Sequence, residues 1–204
     1  GRPASAFFRR VALKGWDANH FTFTHRYPTL RRWLTAQVSG RKTILAVGCG
    51  RGELERNLVR FGHQVVSLDF SFAMVWAAAV HYKLRAVVQA DAHVLPFRAA
   101  SFDLVMLPES LGYLEAEVAF RETARVLKKT GRLMMTTYPP HQAAHAPYKK
   151  LSSEAIAEVL QRTGFVVQAQ RFLVIRQRGI TEMFPDEGCD LMYVLASKKA
   201  TRNT

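Results

Sequence analysis

Residues 43–60 read TILAVGCGRGELERNLVR. The unbroken apolar run Thr43–Val47 predicts a short buried strand, the glycines at 48, 50 and 52 a tight turn, and Leu54 with Leu58 one face of a helix over Glu53–Arg60. A strand, a glycine turn and a helix form the opening unit of a doubly wound α/β sheet, whose ligands bind at the carboxyl ends of the strands where the strand order reverses. Glycine at such a turn takes positive φ and approaches a ligand without a Cβ in the way, while the amides opening the next helix favour a carboxylate or phosphate. The spacing selects among ligands. A dinucleotide fingerprint, G-x-G-x-x-G counted from Gly48, requires its third glycine at position 53; Glu53 stands there instead, with a carboxylate that repels a pyrophosphate. Asp69, about 20 residues beyond the turn, closes the second strand where an acid takes both ribose hydroxyls of an adenosyl group.

Working outward, strand-like and helix-like runs alternate. Gln64–Leu68 predicts strand two, Ser71–Tyr82 a helix capped by Ser71, Arg85–Gln89 strand three and Phe102–Leu107 strand four. Glu115–Lys129 predicts an amphipathic helix with Phe120, Ala124 and Leu127 inward, Lys128 and Lys129 suiting its dipole and Gly131 ending it. Arg132–Tyr138 predicts strand five, Ser152–Thr163 a helix, and Phe165–Ile175 and Asp190–Ser197 strands six and seven. Seven strands with crossover helices mean a mainly parallel sheet covered on both faces; the last two lack a helix between them, so one pairs antiparallel.

The 204 residues suit one domain, and 49% apolar with 22% charged residues is ordinary globular usage. The longest apolar run, Phe72–Val80, is half what a bilayer crossing needs, so a soluble protein is expected. Two cysteines, Cys49 and Cys189, support neither a disulfide framework nor a thiolate zinc site, and no secretory leader is read; a reducing cytoplasm is the expected compartment. His63, His81 and His93 lack metal-ligand spacing, and no metal is expected. The net charge of +13 is concentrated in residues 1–42, where nine Lys and Arg face the single acid Asp17. That segment is either a phosphate- or lipid-facing arm or solvated surface charge.

Four stretches, ILAVGCGRGELERNL, VVSLDFSFAMVWAA, VVQADAHVLPFRAASFDLVML and AFRETARVLKKTGRLMMTT, together resemble the class I S-adenosylmethionine-dependent methyltransferases, especially the small-molecule type of ubiquinone, menaquinone and biotin biosynthesis. The resemblance is close over residues 43–138 and looser beyond. It implies a Rossmann-like seven-stranded sheet of order 3-2-1-4-5-7-6 with the last strand antiparallel, and S-adenosylmethionine as methyl donor. By the resemblance Gly48, Cys49 through its backbone, Gly50 and Gly52 cradle the methionine moiety. Asp69 holds the ribose, Phe70 lies against the adenine, Asp91 and the Ala92 amide contact it, and Leu107 and Pro108 flank the donor sulfur.

Departures from the family pattern are equally specific. Ala46 stands where the family carries an acid, Arg51 replaces a small hydroxyl residue, and LPES after strand four is not the motif of nucleobase amino-group methylases. Methyl transfer is an in-line displacement, so a base is needed only for a hydroxyl or phenol acceptor. His20, His25, His141 and His145 are base candidates, each also readable as an exposed or structural histidine. Cys49 has no paired base and is not read as a nucleophile. Phe7, Phe8, Trp16, Phe21, Phe23, Tyr27 and Trp33 crowd the first 33 residues, as a lid on an apolar acceptor pocket, an element touching membrane or RNA, or a pair of short helices over the sheet edge. Trp16, Tyr27, Glu109 and Tyr113 are the expected pocket wall, with capping or core packing as the plain alternative for the last two.

The expectation is therefore one methyltransferase domain over residues 1–204, a basic aromatic cap (1–42) on a cofactor-binding core (43–204), acting on a small acceptor, a hydrophobic one included. An RNA or tRNA methyltransferase using the basic arm, and a non-catalytic relative that binds cofactor or partner, are the alternatives.

Overall fold

The computed structural model describes Arg9 and residues 27–141, 148–176, 179–183 and 188–199. The chain runs α1 (Tyr27–Ala36), β1 (Thr43–Val47), α2 (Glu53–Arg60), β2 (Gln64–Asp69), α3 (Phe72–His81), β3 (Val87–Gln89) and β4 (Phe102–Pro108). After the 3-10 turn Leu111–Tyr113 come α4 (Ala116–Val126), β5 (Leu127–Thr137), α5 (Ser153–Arg162), β6 (Phe165–Arg176), β7 (Gly179–Met183) and β8 (Leu191–Lys198). The sheet order is β3-β2-β1-β4-β5-β8-β6-β7. The first five strands pair in parallel, and β8 enters antiparallel between β5 and β6. The order reverses between β1 and β4, so the glycine turn after β1 sits at the switch point.

Seven of these strands follow the expected order 3-2-1-4-5-7-6, with β8 as the seventh. The count is corrected by β7, a hairpin partner of β6 on the sheet edge. Its sequence, GITEM, carries too little alternation to read as a strand, and its exposed Glu182 pairs across to Arg171 at 2.7 Å, a charge placement typical of edges. The helix expected to reach Lys129 ends at Val126. Leu127 is fully buried, takes extended backbone (φ −72°, ψ 138°) and pairs with Phe102, so Lys128 joins β5 and bonds Asp103 at 2.9 Å instead of serving a helix terminus. Strand three begins at Val87, two residues later than expected. Ser71 does precede α3, but its side chain makes no cap bond. Of the expected N-terminal helix pair, α1 is described; the rest of residues 1–26 lies outside the described residues apart from Arg9.

Strand alternation separates two apolar layers. Leu45, Val47, Val105, Leu107, Leu133 and Met135 meet α4 and α5 through Phe120, Val126, Ile156 and Leu160. Ile44, Leu104, Met106 and Met134 turn to the other face, against Leu30 and Leu34 of α1 and Leu54 and Leu58 of α2. Among the described residues no helix is long and apolar enough to cross a membrane. Phe120, fully buried and edge-on to Phe165 at 6.5 Å, joins α4 to β6. Phe120→Ala is expected to cost about 3–5 kcal/mol of unfolding free energy, the range for emptying a buried aromatic site, read as a lowered midpoint in urea denaturation.

Candidate functional site

The turn after β1 is held by backbone bonds into β2. The amides of Gly48 and Cys49 both reach the Leu68 carbonyl, at 2.8 and 2.9 Å. The Gly50 amide donates to Asp69 Oδ2 at 2.9 Å, and the Ser71 amide donates to Asp69 Oδ1 at the same distance. One carboxylate thus joins the end of β2 to the middle of the glycine turn. Burial pushes the Asp69 carboxyl up, and the amides of Ser71, Gly50 and Phe70 oppose the rise by stabilising the charge.

Two glycines are required by space as well as by their positive φ. A Cβ at Gly48 (φ 75°) would stand 2.5 Å from Ser110 Cβ, and one at Gly52 (φ 83°) would stand 2.4 Å from Leu84 Cδ1. Gly50 differs: a Cβ there would meet nothing within 4 Å, so the turn is open on that side. Helix α2 starts at Glu53 with no side chain capping it. Its first-turn amides are thus placed to receive an anionic group.

Around this cradle the predicted residues take distinct positions. Phe70 is 74% exposed, an unusual setting for a phenylalanine. Asp91 Oδ1 accepts from the His93 amide at 2.9 Å and faces His93 Nδ1 at 2.6 Å, bonds that hold its carboxyl below the usual range. His93 Nε2 accepts from the Glu115 amide at 2.9 Å, so Nδ1 carries the ring proton and the histidine links this loop to the start of α4. Ala92 and Leu107 are buried within the α4-side layer, leaving their backbone atoms for any ligand; Pro108 is half-buried. Cys49 is buried, with its thiol pushed up first by desolvation and then by Glu55 and Asp69, which suits a shape role and not a nucleophile. The Arg51 guanidinium lies 5.8 Å over the Tyr82 ring, whose hydroxyl donates to Glu53 at 2.7 Å.

A second cluster stands at the ends of β4 and β5. Glu109, at φ 55°, accepts from the Tyr138 hydroxyl at 2.8 Å. Tyr148 stands edge-on to Tyr113 at 4.9 Å and to Tyr138 at 5.4 Å, and its hydroxyl meets Thr137 Oγ1 at 2.7 Å. Burial raises Tyr113, and Glu109 adds to the rise. His141 Nε2 lies 3.1 Å from the Cys189 carbonyl, which only accepts, so that nitrogen carries a proton. His141 lines a cleft of about 260 Å³ with Pro139, Pro140, Ser152, Phe172 and Met192. Trp16, His20, His25 and His145, and the side chain of Tyr27, lie outside the described residues. No group of three His, Cys, Asp or Glu with metal-holding geometry occurs among the described residues.

The sequence reading missed Ser110, Tyr138, Tyr148 and Glu55. Ser110 Oγ donates to the Val47 carbonyl at 2.9 Å and holds the end of β1 to the chain after β4. Glu55 is 1% exposed, and neither carboxylate oxygen has a hydrogen-bond partner among the described residues. Burial pushes it up to about 8, with Asp69 adding to the rise and its own amide and Arg31 opposing it. A signal was present: position 55 is three residues before Leu58 and adjacent to Leu54, on the inward side of α2.

Comparison with known proteins gives concordant matches. A family described as a methyltransferase domain matches residues 45–135. The ubiquinone biosynthesis O-methyltransferase of Xanthomonas oryzae pv. oryzae is 34% identical over 165 residues, covering 76% of this chain and 68% of that protein. The malonyl-[acyl-carrier protein] O-methyltransferase of Legionella pneumophila subsp. pneumophila is 34% identical over 105 residues, 48% of this chain and 37% of that one. Among solved structures, the putative methyltransferase of Haloferax volcanii in complex with the Trm112 activator has a TM-score of 0.75 at 19% identity, covering 94% of this chain and 97% of that one. A methyltransferase from Thermotoga maritima, described as a possible histamine N-methyltransferase, gives 0.74 at 16%, covering 95% and 99%. At those identities the structures establish the fold alone.

A carboxyl whose folded pKa lies above its unfolded value holds its proton more tightly when folded, so stability falls as pH rises between the two. For Glu55 that interval runs from the ordinary glutamate range to about 8. Thermal melts from pH 5 to pH 9 are expected to show Glu55→Gln gaining on the native chain as pH rises, with the gap levelling off above about 8.

Proposed function

The chain belongs to the class I S-adenosylmethionine-dependent methyltransferases, and we propose that it methylates a hydroxyl of a small, apolar-bodied acceptor held over the ends of β4 and β5. The observation that carries the donor half is the Asp69 carboxylate, anchored by two amides beside an open glycine turn. Each Asp69 oxygen spends one lone pair on an amide and keeps another for a ribose hydroxyl. The exposed Phe70 ring supplies a flat apolar surface for the adenine, with Asp91 and the Ala92 amide at its polar edge. Gly48, Cys49, Gly50 and Gly52 receive the amino-acid tail through backbone, and the main chain at Leu107 and Pro108 borders the reacting centre. S-adenosylmethionine brings a methyl carbon on a positively charged sulfur, which an aligned nucleophile displaces in line.

The protein's part is then alignment, exclusion of water and, for a hydroxyl, disposal of a proton. Glu109 is the residue we assign to accept that proton, because its carboxylate ends β4 and is oriented by Tyr138. Tyr113, Tyr138 and Tyr148 form an aromatic cluster beside Glu109, a surface suited to a ring-bearing acceptor. His141 is set aside as base at Nε2 by its bond to a carbonyl. The O-methyltransferase names of the Xanthomonas and Legionella relatives support an oxygen acceptor. The segment before α1, with Trp16, is proposed as the lid that closes over it, and the Arg31–Glu53 ion pair ties α1 to α2.

Label from methyl-tritiated donor is expected to pass to a phenol or catechol in a panel that also holds primary amines and RNA. Glu109→Gln is expected to lower kcat by about 10²-fold or more, as for loss of a general base, with donor affinity within twofold. Transfer to amines or RNA alone, or an undiminished Glu109→Gln, contradicts the acceptor assignment.

A further inference from the structure

On the α2 side of the sheet, buried polar atoms interrupt an apolar layer. Ala46 shares the face of Ile44 by strand alternation, and its register partner on β2 is Ser67, which turns to the same side. Glu55 enters from α2, on the same side as Leu54 and Leu58, which pack against this face. Ala46 is fully buried, and Ser67 and Glu55 are each 1% exposed. Ser67 Oγ and both Glu55 carboxylate oxygens make no hydrogen bond to any described residue. Buried polar atoms are normally paired, so three orphaned oxygens on one face require an account. Ala46 contributes only a methyl group to this face.

The charges that bear on Glu55 do not supply a partner. Asp69 on β2 is a second carboxyl and Cys49 in the turn a buried thiol. Among the described residues Arg31 on α1 is the cation that acts on it, and that guanidinium is engaged by Glu53. No described cation comes within hydrogen-bond distance of either Glu55 oxygen. A primary ammonium has three such donors, matching the two Glu55 oxygens and the Ser67 hydroxyl oxygen.

We propose that Glu55, with Ser67, is the seat of the ammonium group of the amino-acid tail held on the glycine turn, and that Glu55 gives up its proton to solvent when that cation binds. The proposal rests on reading the turn as the donor site. The exchange balances: a neutral carboxyl and a cationic ligand become a carboxylate–ammonium pair, and one proton leaves to the buffer. Ala46 then marks a relocation, the acid arriving from α2 and not from the strand. Donor affinity acquires a pH dependence that a permanently charged acid would not give. It rises with pH below about 8, where the free protein must shed the Glu55 proton to bind, and flattens above.

Calorimetric titration of the full chain at pH 7 in two buffers of different ionisation enthalpy tests this, with S-adenosylhomocysteine and with 5'-methylthioadenosine, which lacks the amino-acid tail. The first ligand is expected to release roughly 0.9 proton per site, the protonated fraction of a group titrating at about 8. The second is expected to release none. Between pH 6 and pH 7 the affinity for S-adenosylhomocysteine is expected to rise nearly tenfold. Glu55→Gln, close in shape to the neutral acid, is expected to abolish the release, flatten the pH dependence and weaken S-adenosylhomocysteine towards the affinity of the tail-less ligand. S-adenosylhomocysteine binding without proton release, or a release that survives in Glu55→Gln, overturns the assignment while leaving the donor site intact. If neither ligand binds the native chain, the donor-site reading falls and this assignment falls with it.

Discussion

The bond from the Gly50 amide to the Asp69 carboxylate is the constraint around which the described structure is organised. It ties the β1 turn to the end of β2, and the bond from Ser71 to the same carboxylate then sets the start of α3. Neither bond could form with bulk at the turn. Gly48 must clear Ser110 and Gly52 must clear Leu84, so the backbone is pressed between the chain after β4 and the chain after α3. An acid buried in this way costs desolvation, which three backbone amides offset. The result is a carboxylate fixed in position before any ligand arrives, which is how binding energy is kept for the ligand instead of being spent on ordering the protein.

The two faces of the sheet serve different purposes. The α4 and α5 side is an apolar core in which Phe120 and Phe165 join layers far apart in sequence. The α1 and α2 side carries the unusual polar content, with Ser67 and Glu55 buried and Asp69 half-buried beside the glycine turn. Beyond the carboxyl ends of β4 and β5, Tyr138 and Tyr148 from the chain after β5 frame Glu109. The ammonium, adenosyl and aromatic-acceptor sites proposed above thus differ in chemistry. All three lie at or beside the carboxyl ends of the parallel strands, as expected of a switch-point site.

Much of this was legible in the sequence because local signals and global fold agreed. The buried run Thr43–Val47, the three glycines and Asp69 each have one physical reading, and together they led to the turn, the switch point and the anchoring acid. The misreadings are equally physical. Leu127 through Lys129 continued a helical period, yet pairing of Leu127 with Phe102 drew them into β5. GITEM has strand geometry only because β6 offers an open edge. Glu55 looked like an ordinary first-turn glutamate, since acids suit helix N-termini, and that reading outweighed its spacing to Leu58 on the inward side of α2. Tyr148 meets Tyr113, Tyr138 and Thr137 through folding of separate segments, so that cluster had no signature in the linear pattern.

The central claim is that Asp69 and the glycine turn bind the methyl donor, and equilibrium binding of S-adenosylmethionine to the native chain and to Asp69→Ala tests it most directly. The account predicts one site on the native chain and at least about tenfold weaker binding by the variant, since hydrogen bonds to a charged group contribute roughly 1.5–3 kcal/mol each. Circular dichroism of the variant guards against misfolding as the cause of the loss. Equal binding by the two proteins, or none by the native chain, would contradict it.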